Sequence, residues 1–109
     1  YPQRLASPLA GIDFYRLRKL HFEKPDLTKF PSLRLAYQAA QDLGTMPAVL
    51  NAANEESVNY FLNKRINFLT ITKIVEKVMR AHAKIAHPNL AQVLAADAWA
   101  REEVARLGC

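Results

Sequence analysis

The 109-residue sequence predicts a mainly α-helical protein: a four-helix bundle over residues 31–109, preceded by an extended connecting arm over residues 1–30 that contains one or two short strands. Apolar residues recur every three or four positions in four segments after residue 30, which is the spacing of one helix face. The chain contains only three glycines, too few for an all-β fold with many tight turns. Short gaps between the four segments favour antiparallel packing of neighbouring helices.

The first predicted helix covers residues 31–43 and begins with a proline. Pro31 suits the first turn, because the N–H that it lacks would have no partner inside the helix in any case. Gly44 follows the last apolar position and supplies a stop signal. The apolar face of this helix consists of Leu33, Ala36, Tyr37, Ala40 and Leu43.

The second predicted helix covers residues 47–64, with Pro47 in its first turn and Thr45 as a candidate cap. Asn51 and Asn54 lie near its apolar side, although asparagine is a poor helix former. These two side chains could tie helices together or satisfy the backbone of a loop. The apolar side is marked by Leu50, Ala53, Phe61 and Leu62.

The third predicted helix covers residues 71–83, with Thr70 as its N-cap, and has the most regular apolar stripe of the chain. Its other face is basic, and residues 64–84 carry a net charge of +5. Such a face is typical of a solvated helix. Nucleic-acid binding is the weaker alternative, because interleaved aromatic residues and clustered arginines are lacking. His82 continues the apolar stripe, which indicates a hydrogen-bonded histidine in the core or at its rim.

The fourth predicted helix covers residues 90–107, with Asn89 as its N-cap and Gly108 as its stop. Asp97 interrupts the apolar stripe of this helix, and a carboxylate near a core needs a partner. Arg101 lies four residues later on the same face and can supply that partner. We therefore expect a structural ion pair here, not a catalytic acid.

The arm shows two short pieces in which apolar and polar residues alternate. Ile12 and Phe14 form one piece, and Leu20 and Phe22 form the other, which predicts one or two short strands. A lone pair of short strands is not stable in water. We therefore expect Phe14, Leu20 and Phe22 to pack on a surface, either that of the bundle or that of a missing neighbour.

The residue types that usually carry chemistry form no recognisable motif. His82 and His87 lack a cysteine or carboxylate at ligand spacing, so a metal site is not predicted. The serines lie in no nucleophile elbow, and three scattered glycines cannot form a phosphate-binding loop. Glu55 and Glu56 are adjacent, so their side chains diverge by about 100° on a helix and do not form a carboxylate pair.

Other features limit the cellular setting. No apolar run approaches the roughly 20 residues that span a membrane, and no secretion signal is present. Cys109 is the only cysteine, so no disulfide can form within the chain, which fits a reducing compartment. Because residue 1 is tyrosine and not methionine, we expect the chain to be processed or to be part of a longer protein.

One run in the second predicted helix carries a specific resemblance. Pro47-Ala48-Val49-Leu50-Asn51-Ala52-Ala53-Asn54-Glu55 resembles the signature of the C-terminal region of 1-deoxy-D-xylulose 5-phosphate reductoisomerases. Further pieces resemble the same family in the same order. They are Tyr1-Pro2-Gln3-Arg4, Ile12-Asp13-Phe14, Leu20 to Asp26, Phe30-Pro31-Ser32-Leu33, Leu35-Ala36-Tyr37, Phe61-Leu62, Ile66, Phe68, Ile71, Ile74-Val75, and Asp97-Ala98 with Ala100-Arg101. Departures fall at Ser32, Leu43 and Glu56, where the family often has cysteine, glycine and an apolar residue.

The resemblance implies a place in isoprenoid biosynthesis by the non-mevalonate route. Enzymes of this family isomerise and reduce 1-deoxy-D-xylulose 5-phosphate to 2-C-methyl-D-erythritol 4-phosphate. They use NADPH and a divalent metal ion (Mg, Mn or Co). The resemblance further implies a homodimeric parent enzyme in the bacterial cytoplasm or a plastid, with no nucleic acid and no membrane as partner.

For this chain itself, the resemblance implies a supporting role beside the catalytic domain. The family's metal and phosphate ligands lie upstream of the match, so no catalytic, cofactor-binding or metal-binding residue is expected here, and the chain alone is not an enzyme. The candidates for structural or interdomain contacts are Phe14, Phe22, Asn51, Asn54, Glu55, Asp97 and Arg101. A free-standing helical protein-interaction module is the alternative.

Overall fold

The computed structural model describes residue 3, residue 6 and residues 8–108. The described part is mainly helical, as predicted. Its five helices are α1 (Phe14–Leu17), α2 (Pro31–Asp42), α3 (Met46–Leu62), α4 (Phe68–Ala81) and α5 (Leu90–Leu107). None of these helices is long and apolar enough to cross a membrane.

Helix α3 lies at the centre of the helical part of the molecule. It packs against α2, α4 and α5, and α4 also contacts α2 and α5. Small residues make this close packing possible: Ala52 and Ala53 on α3 and Ala100 on α5 are fully buried. The apolar stripe predicted for α4 is buried, and Val78 on α4 and Val104 on α5 have no exposed surface. Burying a side chain of this size contributes roughly 1.5–3 kcal/mol relative to leaving it exposed. The apolar face predicted for α2 was wrong, because Leu35 and Ala39 are its buried residues while Tyr37 and Leu43 are 57% and 63% exposed.

The boundaries of α5 agree with the prediction, because its end signals are local in the sequence. Asn89 accepts a hydrogen bond from the backbone N–H of Gln92 at 2.9 Å, and the Gln92 side chain accepts one from the Asn89 N–H at 2.9 Å. This reciprocal pair forms a capping box and satisfies two backbone donors at the start of the helix. Gly108 follows the last helical residue, as predicted.

The predicted start of α4 was wrong by three residues. Asn67, and not Thr70, is the N-cap: its side-chain oxygen accepts from the Thr70 backbone N–H at 3.0 Å and from the Thr70 hydroxyl at 2.8 Å. Both residue types favour caps, and the earlier one adds a full turn to the helix. Helix α4 ends at Ala81, two residues before the predicted end, because His82 has an extended backbone.

The predicted strands of the arm are not found in the described part of the chain. Around Phe14 the backbone instead forms the single helical turn α1. Asp13 explains this, because its carboxylate accepts from the backbone N–H groups of Tyr15 at 3.0 Å and Arg16 at 3.2 Å. A side-chain cap of this kind competes with strand formation. Leu20 and Phe22 lie in backbone that has no regular structure.

The arm does not pack on the helical core. Every residue from Pro8 to Phe30 is exposed. Phe14 is 71% exposed and Phe22 is 88% exposed. We expected these side chains to pack either on the bundle or on a missing neighbour. In this structure they do not pack on the bundle. The division of the chain into an arm and a bundle domain at residue 30 stays a prediction, and α2 begins directly after it, at Pro31.

Candidate functional site

Four of the seven candidate residues meet where α3 contacts α5, and we call this group the Arg101 network: Asn51, Glu55, Asp97 and Arg101. Arg101 Nε donates to Asp97 Oδ1 at 3.1 Å, which is the ion pair that the sequence predicts within α5. Arg101 Nη2 also reaches across to α3 and donates to Glu55 Oε2 at 2.7 Å. Asn51 Nδ2 donates to the other oxygen of Glu55, Oε1, at 3.1 Å.

The hydrogen bonds of the Arg101 network favour the charged forms of Arg101 and Glu55. Hydrogen bonds to Asp97 and then to Glu55 raise the pKa of Arg101 above its usual range. The hydrogen bond from Arg101, followed by that from Asn51, lowers the pKa of the Glu55 carboxyl. These side chains are partly open to solvent, and ion pairs of this kind add little stability. Their main effect is to fix the orientation of the side chains, including that of Asn51.

Asn54 does not join the Arg101 network. It is exposed, and its side chain makes no hydrogen bond to any residue that the structure describes. It lies at the rim of a groove of about 340 Å³ between α2, α3 and α4, together with Asn51, Ser32 and Thr72. Leu35, which is 2% exposed, belongs to the apolar part of this groove. The sequence predicts that Asn54 lies near apolar residues, which agrees with the lining of the groove. No described residue supplies a polar group that pairs with its side chain.

Phe14 and Phe22 are brought to neither the groove nor the Arg101 network. Both lie on the arm, outside the buried core. Leu20, the third apolar residue of the predicted arm contact, is 63% exposed. Three large apolar side chains on one segment are therefore available to a surface that the described residues do not supply.

Sequence reasoning missed a second charged group that links α2 to α4. Arg34 Nη2 donates to Glu76 Oε1 at 3.0 Å, and Arg80 Nη2 donates to the same oxygen at 2.8 Å. The Arg34 hydrogen bond is the main cause that lowers the pKa of Glu76. The spacing of Glu76 and Arg80 signals their pair within α4. No local signal indicates Arg34, because its contact depends on how α2 packs against α4.

A third group, which we call the Thr45 corner, joins the turn between α2 and α3 to the loop after α4. The Ile85 N–H donates to Thr45 Oγ1 at 3.1 Å, and the Thr45 N–H donates to the Ile85 carbonyl at 3.1 Å. Thr45 Oγ1 also lies 2.7 Å from His82 Nε2. Thr45 occupies the N-cap position of α3, as predicted, but its side chain makes no cap hydrogen bond, because the hydroxyl is used by these two partners.

His82 occupies the rim position that the sequence predicts. Its ring lies 5.0 Å from the ring of Trp99 between centroids, and burial lowers its pKa below the usual 6.5. Thr45 Oγ1 already accepts from the Ile85 N–H, so its own hydrogen is free to donate to a neutral His82 Nε2. The contact suits a structural histidine that is uncharged at neutral pH.

The described residues offer no site for a metal ion. They contain no group of three or more His, Cys, Asp or Glu side chains arranged to hold one. The carboxylates of Glu55, Glu56 and Asp97 lie within 4.0 Å of the guanidinium of Arg101. A carboxylate held in this way orients a helix contact and is not available as a general base. The Arg101 network links α3 to α5 and can position their surfaces.

Comparison with known proteins gives a consistent result. The family model for the DXP reductoisomerase C-terminal domain matches residues 1–103. A 1-deoxy-D-xylulose 5-phosphate reductoisomerase from Synechococcus sp. is 50% identical over 107 residues, which are 98% of this chain and 27% of that protein. The enzyme of the same name from Gloeobacter violaceus is 45% identical over 104 residues, which are 95% of this chain and 26% of that protein.

One solved structure has the same fold over nearly the whole chain. It is 1-deoxy-D-xylulose 5-phosphate reductoisomerase from Zymomonas mobilis in complex with NADPH, with a TM-score of 0.82 and 44% sequence identity. The match covers 99% of this chain and 29% of that one. The chain thus spans about a quarter of the length of the curated relatives that it matches.

Proposed function

The chain belongs to the DXP reductoisomerase C-terminal domain family, and from this premise we propose that it supports the catalytic part of an NADPH-dependent 1-deoxy-D-xylulose 5-phosphate reductoisomerase. The parent enzyme would convert its substrate to 2-C-methyl-D-erythritol 4-phosphate in isoprenoid biosynthesis. The observation that carries the proposal is the family match over residues 1–103, against relatives that are about four times as long.

The chemistry itself is assigned to the part of the enzyme outside this chain. NADPH and a divalent metal ion would serve the parent enzyme, but the described residues fit neither group. They contain no candidate metal cluster, and the chain has only three scattered glycines for a phosphate loop. We therefore assign no step of the reaction to this chain.

The supporting role uses two properties of the structure. The arm presents Phe14, Leu20 and Phe22 to solvent, and their burial on the catalytic domain would contribute roughly 1.5–3 kcal/mol for each fully covered side chain. The packed helices α2 to α5 would act as a rigid platform, with Arg101 linking α3 to α5. An active site loses rate when its groups shift by as little as about 1 Å, so a rigid neighbour has a direct effect on catalysis.

The proposal includes the assembly and the location of the parent enzyme. The parent would be a homodimer, as the family resemblance implies. It would function in the bacterial cytoplasm or in a plastid. Neither of these two proposals gives a chemical role to a residue of this chain.

The test is a double substitution on the arm, Phe14→Ser with Phe22→Ser, in the full-length enzyme that carries this chain. We expect kcat/KM for 1-deoxy-D-xylulose 5-phosphate, followed by NADPH oxidation, to fall about tenfold or more, because the catalytic domain loses its support. The thermal midpoint of the 109-residue chain should not change, since both side chains are exposed in it.

The matched control is Tyr37→Ser, which removes an exposed aromatic ring from α2 and leaves the arm intact. It should retain the wild-type kcat/KM. If the arm variant and the control are equally active, the arm does not support the catalytic domain. If the wild-type full-length protein does not oxidise NADPH with this substrate, the assignment to a reductoisomerase fails.

A further inference from the structure

We propose that the groove between α2, α3 and α4 is the docking site for an uncharged segment of the catalytic part of the same polypeptide. In this arrangement Asn51 and Asn54 hydrogen-bond the backbone of that segment. The inference rests on the proposed function, and it goes further by naming the surface and the chemistry of its occupant. The groove measures about 340 Å³ in the isolated chain.

The lining of the groove determines what can bind there. Leu35 and Val75 lie in its apolar part and are 2% and 3% exposed, and Ala36 and Leu50 extend this surface. The polar side chains at its rim are uncharged, and none of the described residues that line it carries a charge. A charged ligand would lose its hydration without gaining a partner of opposite charge. The groove therefore fits apolar side chains carried on a neutral backbone.

The two asparagines supply what an irregular backbone segment needs. Residues three apart on a helix share a face, with Cβ atoms about 5–6 Å apart, so Asn51 and Asn54 point to the same side of α3. Each carboxamide has N–H groups that donate and an oxygen that accepts, so it can pair with a C=O or an N–H of the segment. Asn54 has no side-chain partner among the described residues, and asparagine in the interior of a helix is otherwise unfavourable.

The Arg101 network holds one of these carboxamides in place. Asn51 Nδ2 donates to Glu55 Oε1, and Glu55 in turn accepts from Arg101 Nη2 through its other oxygen. The Asn51 oxygen and its second N–H stay available at the rim of the groove. Arg101 and Glu55 therefore act as positioning residues for Asn51. They restrict the Asn51 side chain before binding, so less side-chain entropy is lost when the segment docks.

The position of the groove points to the catalytic part of the chain as its occupant. The arm enters the helical core at Pro31, and the next residue, Ser32, lines the groove. Under the proposed function, the catalytic part is tethered through the arm to the edge of this groove. A tether of this kind gives a high effective concentration, which a second copy of the chain would not have.

The first test places an arginine in the groove of the full-length enzyme. Ala36 is exposed in the isolated chain and lines the groove, so Ala36→Arg should leave the thermal midpoint of the 109-residue chain unchanged. In the full-length enzyme, Ala36→Arg should lower kcat/KM about tenfold or more. Docking would bury the unpaired charge of the new arginine, so the catalytic part would no longer bind in the groove. The matched control is Ala98→Arg on α5, where the alanine is also exposed and lies outside the groove.

The outcomes of this test separate the two proposals. Loss of activity in Ala36→Arg, with Ala98→Arg close to wild type, supports the groove. Equal activity of the two variants overturns the groove as a docking site, while the supporting role of the arm stands. A wild-type enzyme without reductoisomerase activity sinks the proposed function itself, whatever the variants do.

A second measurement remains decisive if Ala36→Arg fails to fold. Ser32→Cys places a thiol in the groove, and Gln38→Cys places one at an exposed position on α2 outside it, each in a Cys109→Ser background. A thiol-reactive label should modify Cys at position 32 about tenfold more slowly in the full-length enzyme than in the isolated chain. In the full-length enzyme the reagent reaches this thiol only when the interface opens. Position 38 should react at similar rates in both. Equal rates at position 32 overturn the proposal, as does concentration-dependent protection in the isolated chain, which would assign the groove to a second copy.

Discussion

At the scale of single residues, a few positions are fixed by the backbone around them. Gly44 lies between α2 and α3 with a φ of +60°, a conformation that L side chains rarely adopt. A Cβ atom at this position would lie 2.1 Å from the carbonyl oxygen of Ile85. The adjacent Thr45 exchanges two hydrogen bonds with Ile85, so this carbonyl cannot move away without breaking the corner.

Gly44→Ala should therefore destabilise the 109-residue chain by about 2 kcal/mol or more, since it adds backbone strain and a clash with main-chain atoms. Chemical denaturation measures this loss as a lower transition midpoint. Gly11→Ala is the matched control, because a Cβ at Gly11 meets nothing within 4 Å. Gly11→Ala should leave the midpoint unchanged. An equal midpoint for the two variants would contradict the close packing of the Thr45 corner.

At the scale of helices, the Thr45 corner connects the end of α4 to the turn before α3, and His82 makes this connection sensitive to pH. Burial lowers the pKa of His82 below its usual 6.5, so the folded state favours the neutral ring. Between the folded and unfolded pKa values, the unfolded chain binds more protons than the folded chain. Stability is therefore highest above about pH 6.5 and is lost as the pH falls through the folded pKa of His82.

We expect the thermal midpoint of the chain to fall between pH 7 and pH 5, while His82→Gln shows a flatter profile in this range because it does not titrate. The acidic carboxyls, whose pKa values are lowered by their arginine partners, lose their contribution only at more acidic pH. His87→Gln, which changes an exposed histidine, should keep the wild-type fall. A wild-type fall that persists in His82→Gln would remove His82 as its cause.

Local signals predicted the helices better than they predicted the arm. The cap at Asn89 and the stop at Gly108 lie within one turn of the ends of α5, so the sequence alone places both ends. The start of α4 was ambiguous because Asn67 and Thr70 are both good caps. In the arm, alternating apolar residues suggested strands, but Asp13 caps a helical turn there. Alternation of apolar and polar residues predicts a strand only where a second strand pairs with it, and the described residues supply no such partner.

At the scale of the whole molecule, the candidate site was predictable only in part. Asp97 and Arg101 could be paired from their spacing, since both lie on one helix. The reach of Arg101 to Glu55 and of Arg34 to Glu76 depends on helix packing, which no local pattern encodes. Under the proposed function, the exposed arm and the groove share one physical explanation, because both would be surfaces of a domain that stands beside a larger partner.

Under the proposed function, this chain is the supporting domain of a longer reductoisomerase. An immunoblot of source cells, with an antibody raised against residues 31–108, measures the size of the native polypeptide directly. We predict a band about four times larger than 12.3 kDa, because the chain corresponds to 27% of a 50% identical relative. A band at 12.3 kDa alone would contradict the account and would favour a free-standing helical interaction module.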